Sequence, residues 1–208
     1  MSLSKQAEIV ARMLRETNTR VVFAESCTAG LASATLATQP GISEFHCGGV
    51  NVYRNATKSA YLDIAPETLK QFGAVSSQVT EAMALSVLEK TPEANIAGAI
   101  TGFLGPGDEA SQDGQYFLSV AQHPGELQER DLVRVKTWAC QCRLQGRSQR
   151  QQEVAEQVLV TLANTLSRPR DADCRDTSTE PVQQLYIGCC VQRHEPGHTT
   201  SRGLSGFV

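Results

Sequence analysis

This 208-residue chain is poor in the features that mark several common classes of protein. Aromatic residues make up 5% of it, and it contains one tryptophan and four histidines. Lys and Arg number 19 against 22 Asp and Glu, a formal net charge of -3, so the chain lacks the basic surplus that neutralises nucleic-acid phosphates. A nucleic-acid partner is therefore not expected.

The chain also lacks a long apolar run. Residues 1–18 carry Ile9, Val10, Met13 and Leu14 at helical spacing among charged residues, which predicts an amphipathic helix rather than a signal peptide or a membrane span. The seven cysteines are odd in number and irregularly spaced, so no disulfide framework is recognisable. These absences predict a cytoplasmic protein with no membrane partner.

The composition changes beyond Ser167. Residues 168–208 are rich in Arg, Asp, Thr, Ser, Pro and Gly, which predicts a folded domain of residues 1–167 followed by a polar C-terminal extension with the composition of a disordered segment. Four metal-ligating residues fall in this extension, but their spacing is not that of a zinc site: Cys189, Cys190, His194 and His198. No metal is expected.

Apolar runs alternate with helical patterns along residues 1–167. The predicted strands are 20–24, 45–53, 95–101, 116–121 and 132–135, and the last two are joined through His123-Pro124-Gly125, as in an antiparallel hairpin. Helices are predicted over 31–37, over 56–62 with Asn55 as the cap, from Pro66 to Gly73, from Ser76 or Ser77 onward, and over 148–166. This order predicts an α/β fold, a three-layer α/β/α sandwich with a mixed, mostly parallel sheet.

A hydroxyl nucleophile with a nearby base is one interpretation of the residues that follow the predicted strands. Ser26 comes directly after the first strand, where open α/β sheets hold their ligands. No histidine lies in a segment typical of a catalytic triad. Lys58 is the better base, because a desolvated lysine loses its proton near neutral pH, and Tyr53 is placed to relay that proton.

The residues alone leave a simpler interpretation open. A serine at a strand end is more often a helix cap, and Tyr53 and Lys58 are then ordinary surface residues. The loop from Gly102 to Gly107 is likewise either a phosphate cradle or a turn, since it lacks the Gly-Lys-Ser/Thr ending of a P-loop.

Four segments in order resemble one known family. The run Ala24-Glu25-Ser26-Cys27-Thr28-Ala29-Gly30 resembles the Ala-Glu-Ser-Cys-Thr-Gly-Gly signature of the CinA C-terminal domain family, also called the nicotinamide-nucleotide amidohydrolases. The segments Gly48 to Lys58, Gly73-Ala74-Val75-Ser76 and Thr101 to Gly107 are similar to that family's Gly-Val-x-x-Tyr-Ser-Asn-x-x-Lys, Gly-Ala-Val-Ser and Ser/Thr-Gly-Ile-Ala-Gly-Pro motifs.

The resemblance implies hydrolysis of nicotinamide mononucleotide to nicotinate mononucleotide and ammonia, a step of pyridine nucleotide recycling, without a metal or another cofactor. By position, Ser26 is the nucleophile and Tyr53 and Lys58 assist it. Amides near Thr28 and Gly102 are expected to hold the oxyanion. Contacts with the small-molecule nucleotide are expected at Thr28, Gly30, Gly49, Asn55, Thr101, Gly102 and Gly105, and a homodimer is implied.

The chain departs from the family pattern at three places. Ala29 replaces the second glycine of the signature, Asp108 to Asp113 replaces a continuation that contains Lys-Pro-Val, and Gly146-Arg147-Ser148 stands where Gly-Asp-Arg is usual. Two alternatives follow from these departures. One is a catalytically silent member that works as a nucleotide-binding or protein-interaction module, and the other is an amidase for another small amide.

Overall fold

The computed structural model describes residues 2–105, 112–123 and 133–167. Within them the helices are α1 (Leu3–Glu16), α2 (Leu31–Ala37), α3 (Asn55–Leu62), α4 (Pro66–Phe72), α5 (Ser77–Glu89) and α6 (Arg147–Leu166). The strands are β1 (Val21–Glu25), β2 (His46–Asn51), β3 (Ile96–Gly102), β4 (Gln115–Gln122) and β5 (Arg134–Gln141). A short 3-10 turn, Ile42–Glu44, precedes β2.

The sheet has the strand order β2-β1-β3-β4-β5, with β1 at the centre of its parallel part. Strand β1 pairs in parallel with β2 on one side and with β3 on the other. The chain thus moves from β1 to one neighbour and later returns to the opposite neighbour, which creates a topological switch point at the carboxyl ends of β1 and β3. Ligands of open α/β sheets bind at such points.

Two apolar layers cover the two faces of the sheet. Strand β1 lies between them and is therefore buried along its whole length. On one face, α1 buries the stripe Ala7, Val10, Ala11 and Leu14 together with α2 and α6. On the other face, helices α3, α4 and α5 pack through a second cluster that includes Leu62, Leu69 and Met83. The two layers hold the strand ends in place, which matters for the site described below.

The structure confirms the predicted α/β/α sandwich with a mixed sheet and a hairpin, and corrects several details. In the described part, two strand pairings are parallel and two are antiparallel, so the parallel share is smaller than predicted. Strand β5 runs from Arg134 to Gln141 rather than over 132–135. Exposed polar residues such as Lys136 and Gln141 interrupt the apolar run in this strand, which lies at the edge of the sheet formed by the described residues. The cap of α3 is Arg54, and Asn55 is the first helical residue.

Other predictions lie outside the described residues. They are the polar extension over 168–208 with its Cys189, Cys190, His194 and His198, most of the divergent segment 108–113, and the end of the glycine-rich loop at residues 106–107. None of the helices in the described ranges combines the length and the apolar content needed to cross a bilayer.

Candidate active site

The carboxyl ends of the three parallel strands meet at one edge of the sheet. Ser26 follows β1 directly, and its amide donates to the carbonyl of Ile100 in β3 at 3.1 Å. Val52 follows β2, and its amide donates to the carbonyl of Glu25 at 2.8 Å. These bonds extend the strand pairings by one residue, so the three segments form a rigid floor for the site.

Ser26 and Lys58 contact each other on this floor. The Lys58 Nζ lies 3.0 Å from the Ser26 Oγ and donates to the Val52 carbonyl at 2.8 Å. Lys58 is 1% exposed and Ser26 is 7% exposed. Ser26 does not cap α2, whose N-cap is Gly30. The structure therefore brings together two of the three side chains predicted to be catalytic.

Burial changes the acid–base behaviour of Lys58. Desolvation lowers the pKa of its ammonium group, and a weaker interaction with Cys27 opposes the shift. In the described part of the chain its hydrogen bonds go to a hydroxyl and a carbonyl, and no carboxylate pairs with it. Lys58 consequently loses its proton more readily than an exposed lysine does. A neutral amine beside a hydroxyl can act as a base.

Helix α3 delivers Lys58 to the site. The Arg54 amide donates to the Thr57 Oγ1 at 3.1 Å, and this hydroxyl donates to the Arg54 carbonyl at 2.8 Å, which starts the helix. Lys58 and Leu62, four residues apart, are the buried positions of α3. Anchoring by Leu62 in the core thus turns Lys58 inward.

The carboxylate of Glu25 shapes the turn that carries Ser26. Glu25 is 1% exposed and accepts hydrogen bonds from the amides of Gly30 at 3.0 Å, Ala32 at 3.3 Å and Ser33 at 2.8 Å. These amides belong to the start of α2, where a negative charge is favourable. No role was predicted for Glu25 from the sequence. An acidic residue shortly before a predicted helix is nevertheless a signal that its carboxylate accepts hydrogen bonds from the first amides of that helix.

Thr28 and Cys27 lie in the same turn with different properties. The Thr28 Oγ1 is buried and, among the described residues, has no hydrogen-bond partner. Leaving such a group unpaired costs about 1–3 kcal/mol, so a ligand atom that forms a hydrogen bond with it would gain binding free energy. Burial raises the pKa of the Cys27 thiol to about 12. Cys27 is therefore protonated at neutral pH and unsuited to act as a nucleophile.

Tyr53 lies apart from the buried pair. It is 53% exposed, and its hydroxyl accepts a hydrogen bond from Arg147. Within the described ranges it makes no hydrogen bond with Ser26 or Lys58. Arg147 also donates to the Gly105 carbonyl at 3.0 Å, so it bridges the segments that follow β2 and β3. Arg147 was not predicted as a site residue from the sequence, because the family motif Gly-Asp-Arg places its basic residue one position later.

The residues predicted to contact the substrate have varied surroundings. Asn55 is exposed at the start of α3, and Thr101 is 1% exposed with its hydroxyl donating to the Ala74 carbonyl at 3.1 Å. The four predicted glycines are packed against other parts of the chain. At Gly30 an added Cβ would lie 2.8 Å from Asn51, and at Gly49 it would lie 2.9 Å from Phe23. At Gly102 it would lie 2.6 Å from Tyr116, and at Gly105 it would lie 2.2 Å from Asp113. Their small size is thus explained by internal packing.

One cleft and the arrangement of possible metal ligands bear on what the chain can bind. A cleft of about 170 Å³ opens between α2 and β2, lined by Glu25, Gly30 and Asn51 among others, and it does not include Ser26 or Lys58. In the described part of the chain no three His, Cys, Asp or Glu side chains are grouped to hold a metal ion.

Residues 3–166 match the sequence profile of the CinA C-terminal domain. The chain belongs to the CinA C-terminal domain family. A CinA-like protein of Desulfotalea psychrophila is 42% identical over 101 residues, which are 49% of this chain and 24% of that protein. A CinA-like protein of Synechocystis sp. is 40% identical over 122 residues, 58% of this chain and 29% of that protein. The chain thus matches about a quarter of the length of these curated relatives.

The fold is that of solved members of the CinA superfamily. The competence/damage inducible protein CihA of Agrobacterium tumefaciens superposes with a TM-score of 0.71 at 28% identity, over 80% of this chain and 96% of that one. The segments that hold Ser26, Lys58 and Gly105 therefore belong to a common scaffold, while Ala29, Arg147 and Asp113 are departures of this chain from the motifs.

Ala29 gives a first prediction. Its φ of +53° is left-handed, a conformation that costs an alanine about 1 kcal/mol and a glycine little. Replacing Ala29 by Gly should therefore raise the free energy of unfolding by about 0.5–1 kcal/mol, measured by urea denaturation. Ala34→Gly, within α2, is the matched control and should lower it by about 1 kcal/mol. Equal losses in the two variants would contradict the prediction.

Lys58 gives a second prediction, on stability and pH. Because its pKa is lower in the folded chain than in the unfolded chain, the unfolded state binds more protons between the two values, and the stability contributed by this group rises with pH there. The wild type should therefore gain stability relative to Lys58→Met as the pH rises from the lowered pKa of Lys58 toward the ordinary pKa of a lysine side chain. Urea denaturation at several pH values measures this. Lys70→Met, on the exposed part of α4, is the control and should show no such trend.

Proposed function

We propose that this chain is an amidohydrolase that converts nicotinamide mononucleotide to nicotinate mononucleotide and ammonia. The observation that carries the proposal is the buried contact of 3.0 Å between the Lys58 Nζ and the Ser26 Oγ. The substrate class rests on the family motifs around this pair. The curated names of the relatives speak of CinA-like or competence-damage proteins, so the nicotinamide nucleotide is our inference.

The reaction needs no group beyond the chain, the substrate and water. Neutral Lys58 takes the Ser26 proton as the Oγ attacks the carboxamide carbon. The tetrahedral intermediate collapses, its C–N bond breaks, and the leaving nitrogen takes the proton back from Lys58 to depart as ammonia. A water molecule, deprotonated by Lys58, then attacks the acyl carbon. The C–O bond to Ser26 breaks as the Oγ takes that proton back from Lys58, which restores the hydroxyl and the neutral amine, and the acid product loses its own proton to water as the carboxylate.

The oxyanion of each tetrahedral intermediate needs hydrogen-bond donors. The Thr28 hydroxyl is buried two residues from the nucleophile and has no hydrogen-bond partner within the described ranges, which supports a role for Thr28 here. The amides near Thr28 and Gly102 are proposed as further donors. A proton relay through Tyr53 requires the ring to leave Arg147 and turn toward Lys58, so Tyr53 is the least supported of the three catalytic assignments.

The phosphate of the nucleotide needs a cation. Arg147 is exposed and lies at the start of α6, where helix amides also favour an anion. Its guanidinium already contacts Gly105 and Tyr53 at the edge of the site. We therefore place the phosphate at Arg147, beside the glycine-rich loop.

A catalytically silent role is the second candidate. The separation of Tyr53 from the buried pair and the departures at Asp113 and Arg147 favour it. A binding module of this kind would still hold the nucleotide, whereas an amidase for another small amide would release ammonia only from that amide. The cytoplasmic location is a proposal that follows from the lack of a long apolar run in the sequence, and the homodimer is a proposal that follows from the resemblance.

Ammonia release tests the proposed reaction. The purified chain should release ammonia from nicotinamide mononucleotide, and Ser26→Ala and Lys58→Ala should each lower kcat by about 1,000-fold or more, because the two groups act as a unit. Ser43→Ala and Lys70→Ala, at exposed positions, are the matched controls and should keep the wild-type rate. A folded wild type that releases no ammonia would contradict the proposed reaction.

Arg147→Gln tests the proposed phosphate contact. Loss of a charge-assisted hydrogen bond of about 1.5–3 kcal/mol should raise KM for the mononucleotide by about 10-fold or more. The kcat/KM for nicotinamide riboside, which has no phosphate, should change little. Arg143→Gln removes an equal charge from a side chain that is 84% exposed and pairs with Glu153, and should leave both substrates unaffected. Equal losses for the two substrates would rule out phosphate recognition by Arg147.

A further inference from the structure

A partly buried ion pair lies next to Gly105. The Arg150 Nη1 and Nη2 donate to the two carboxylate oxygens of Asp113 at 2.7 and 2.8 Å. Arg150 is 5% exposed, and the Asp113 side chain is 33% exposed. This two-pronged geometry is the strong form of a guanidinium–carboxylate pair. The Arg150 hydrogen bonds hold the pKa of the Asp113 carboxyl below its usual range, so the pair is charged at neutral pH.

Arg150 also ties together separate segments of the backbone. Its Nη1 donates to the Leu104 carbonyl at 3.4 Å, and its Nε donates to the Leu144 carbonyl at 3.0 Å. Its Nη2 has a further contact with the Gln145 Oε1 at 3.3 Å. One side chain of α6 thus holds the segment after β3, the segment before β4 and the turn before α6 itself.

Two glycines are packed around this pair. A Cβ added at Gly105, which has a φ of +70°, would lie 2.2 Å from the Asp113 Oδ1 and 2.7 Å from the Arg150 Nη1. A Cβ added at Gly114 would lie 3.3 Å from the Arg150 Cζ. Gly105 and Gly114 therefore pack tightly against the ion pair, and a shift of the pair displaces Gly105.

Displacement of Gly105 reaches the proposed substrate site through Arg147. The Gly105 carbonyl accepts the hydrogen bond from Arg147 at 3.0 Å, and Arg147 begins the helical turn that contains Arg150. Both partners of the Arg147 contact to Gly105 are thus attached to the ion pair, one through the loop and one through α6. In the described part of the chain, neither Asp113 nor Arg150 hydrogen-bonds Ser26 or Lys58.

We propose that Asp113 and Arg150 are positioning residues: they hold the Gly105 carbonyl, which in turn positions the Arg147 guanidinium to bind the anionic group of the substrate. The inference rests on the proposed function for the identity of that group. It assigns a role to the segment in which this chain departs from its family. The pair acts on binding of the phosphorylated substrate and leaves the chemistry of the Ser26–Lys58 pair in place.

The kinetic test uses Asp113→Asn and Asp113→Ala in the full chain. Each variant should raise KM for nicotinamide mononucleotide by about 10-fold or more, because small displacements of binding groups weaken binding strongly. The kcat should stay within about twofold of the wild-type value, and the pH profile of kcat should keep its shape. The kcat/KM for nicotinamide riboside should stay near its wild-type value. A fall of kcat with both substrates would overturn the proposal, since it would indicate general damage to the site.

Glu153→Gln is the matched control. Glu153 also lies on α6, has a side chain that is 8% exposed, and accepts hydrogen bonds from the amides of Arg143 at 3.0 Å and Leu144 at 2.9 Å. Its carboxylate stabilises the turn before α6. In the described part of the chain it makes no hydrogen bond to the segment around Gly105. Its variant should lower the melting temperature as the Asp113 variants do but leave KM unchanged. An equal rise of KM in Glu153→Gln would overturn the proposal.

Hydrogen exchange separates a failure of this proposal from a failure of the proposed function. If the wild type releases no ammonia, the proposed function fails, and the positioning role is judged by the amides of Phe103, Leu104 and Gly105. Their exchange should be faster in Asp113→Ala than in the wild type and in Glu153→Gln. Unchanged exchange would overturn the positioning role, whether or not the chain is active.

Discussion

The buried contact between Lys58 and Ser26 is the interaction on which the rest of the site depends. A lysine that is 1% exposed and has no carboxylate partner among the described residues is costly to keep charged, because its ammonium group has lost water without gaining an opposite charge. That cost lowers its pKa and makes the neutral amine accessible beside a hydroxyl. Shifts of this kind are common at catalytic sites, and this one supports the proposed role of Lys58 as the base.

The surrounding structure keeps this costly pair in place. Strand β1 is buried along its length and bonded to a parallel strand on each side, so Ser26 starts from a fixed point. The Glu25 carboxylate draws the amides of Gly30, Ala32 and Ser33 around itself and holds the turn. Helix α3 is anchored by Leu62 in the core, which turns Lys58 toward the same point. Rigid elements on both sides therefore hold the Ser26 hydroxyl and the Lys58 amine close together.

The departures from the family motifs form a connected group in the structure. Asp113 lies in the divergent segment after the glycine-rich loop, and it binds Arg150 of α6. Arg147, in the altered segment before the same helix turn, reaches Gly105 of that loop and Tyr53 across the site. Changes at distant places in the chain are therefore linked through one helix end.

The sequence by itself determined the layered α/β fold and the position of Ser26 after a buried strand, because apolar periodicity and ordered motifs are local properties of the chain. It also pointed to Lys58 as the base. Only the tertiary structure decided that Lys58 contacts Ser26 while Tyr53 contacts Arg147, because side chains 32 and 94 residues apart in the chain meet only after the strands and helices pack. The same holds for the Asp113–Arg150 pair, whose partners belong to segments with no local pattern in common.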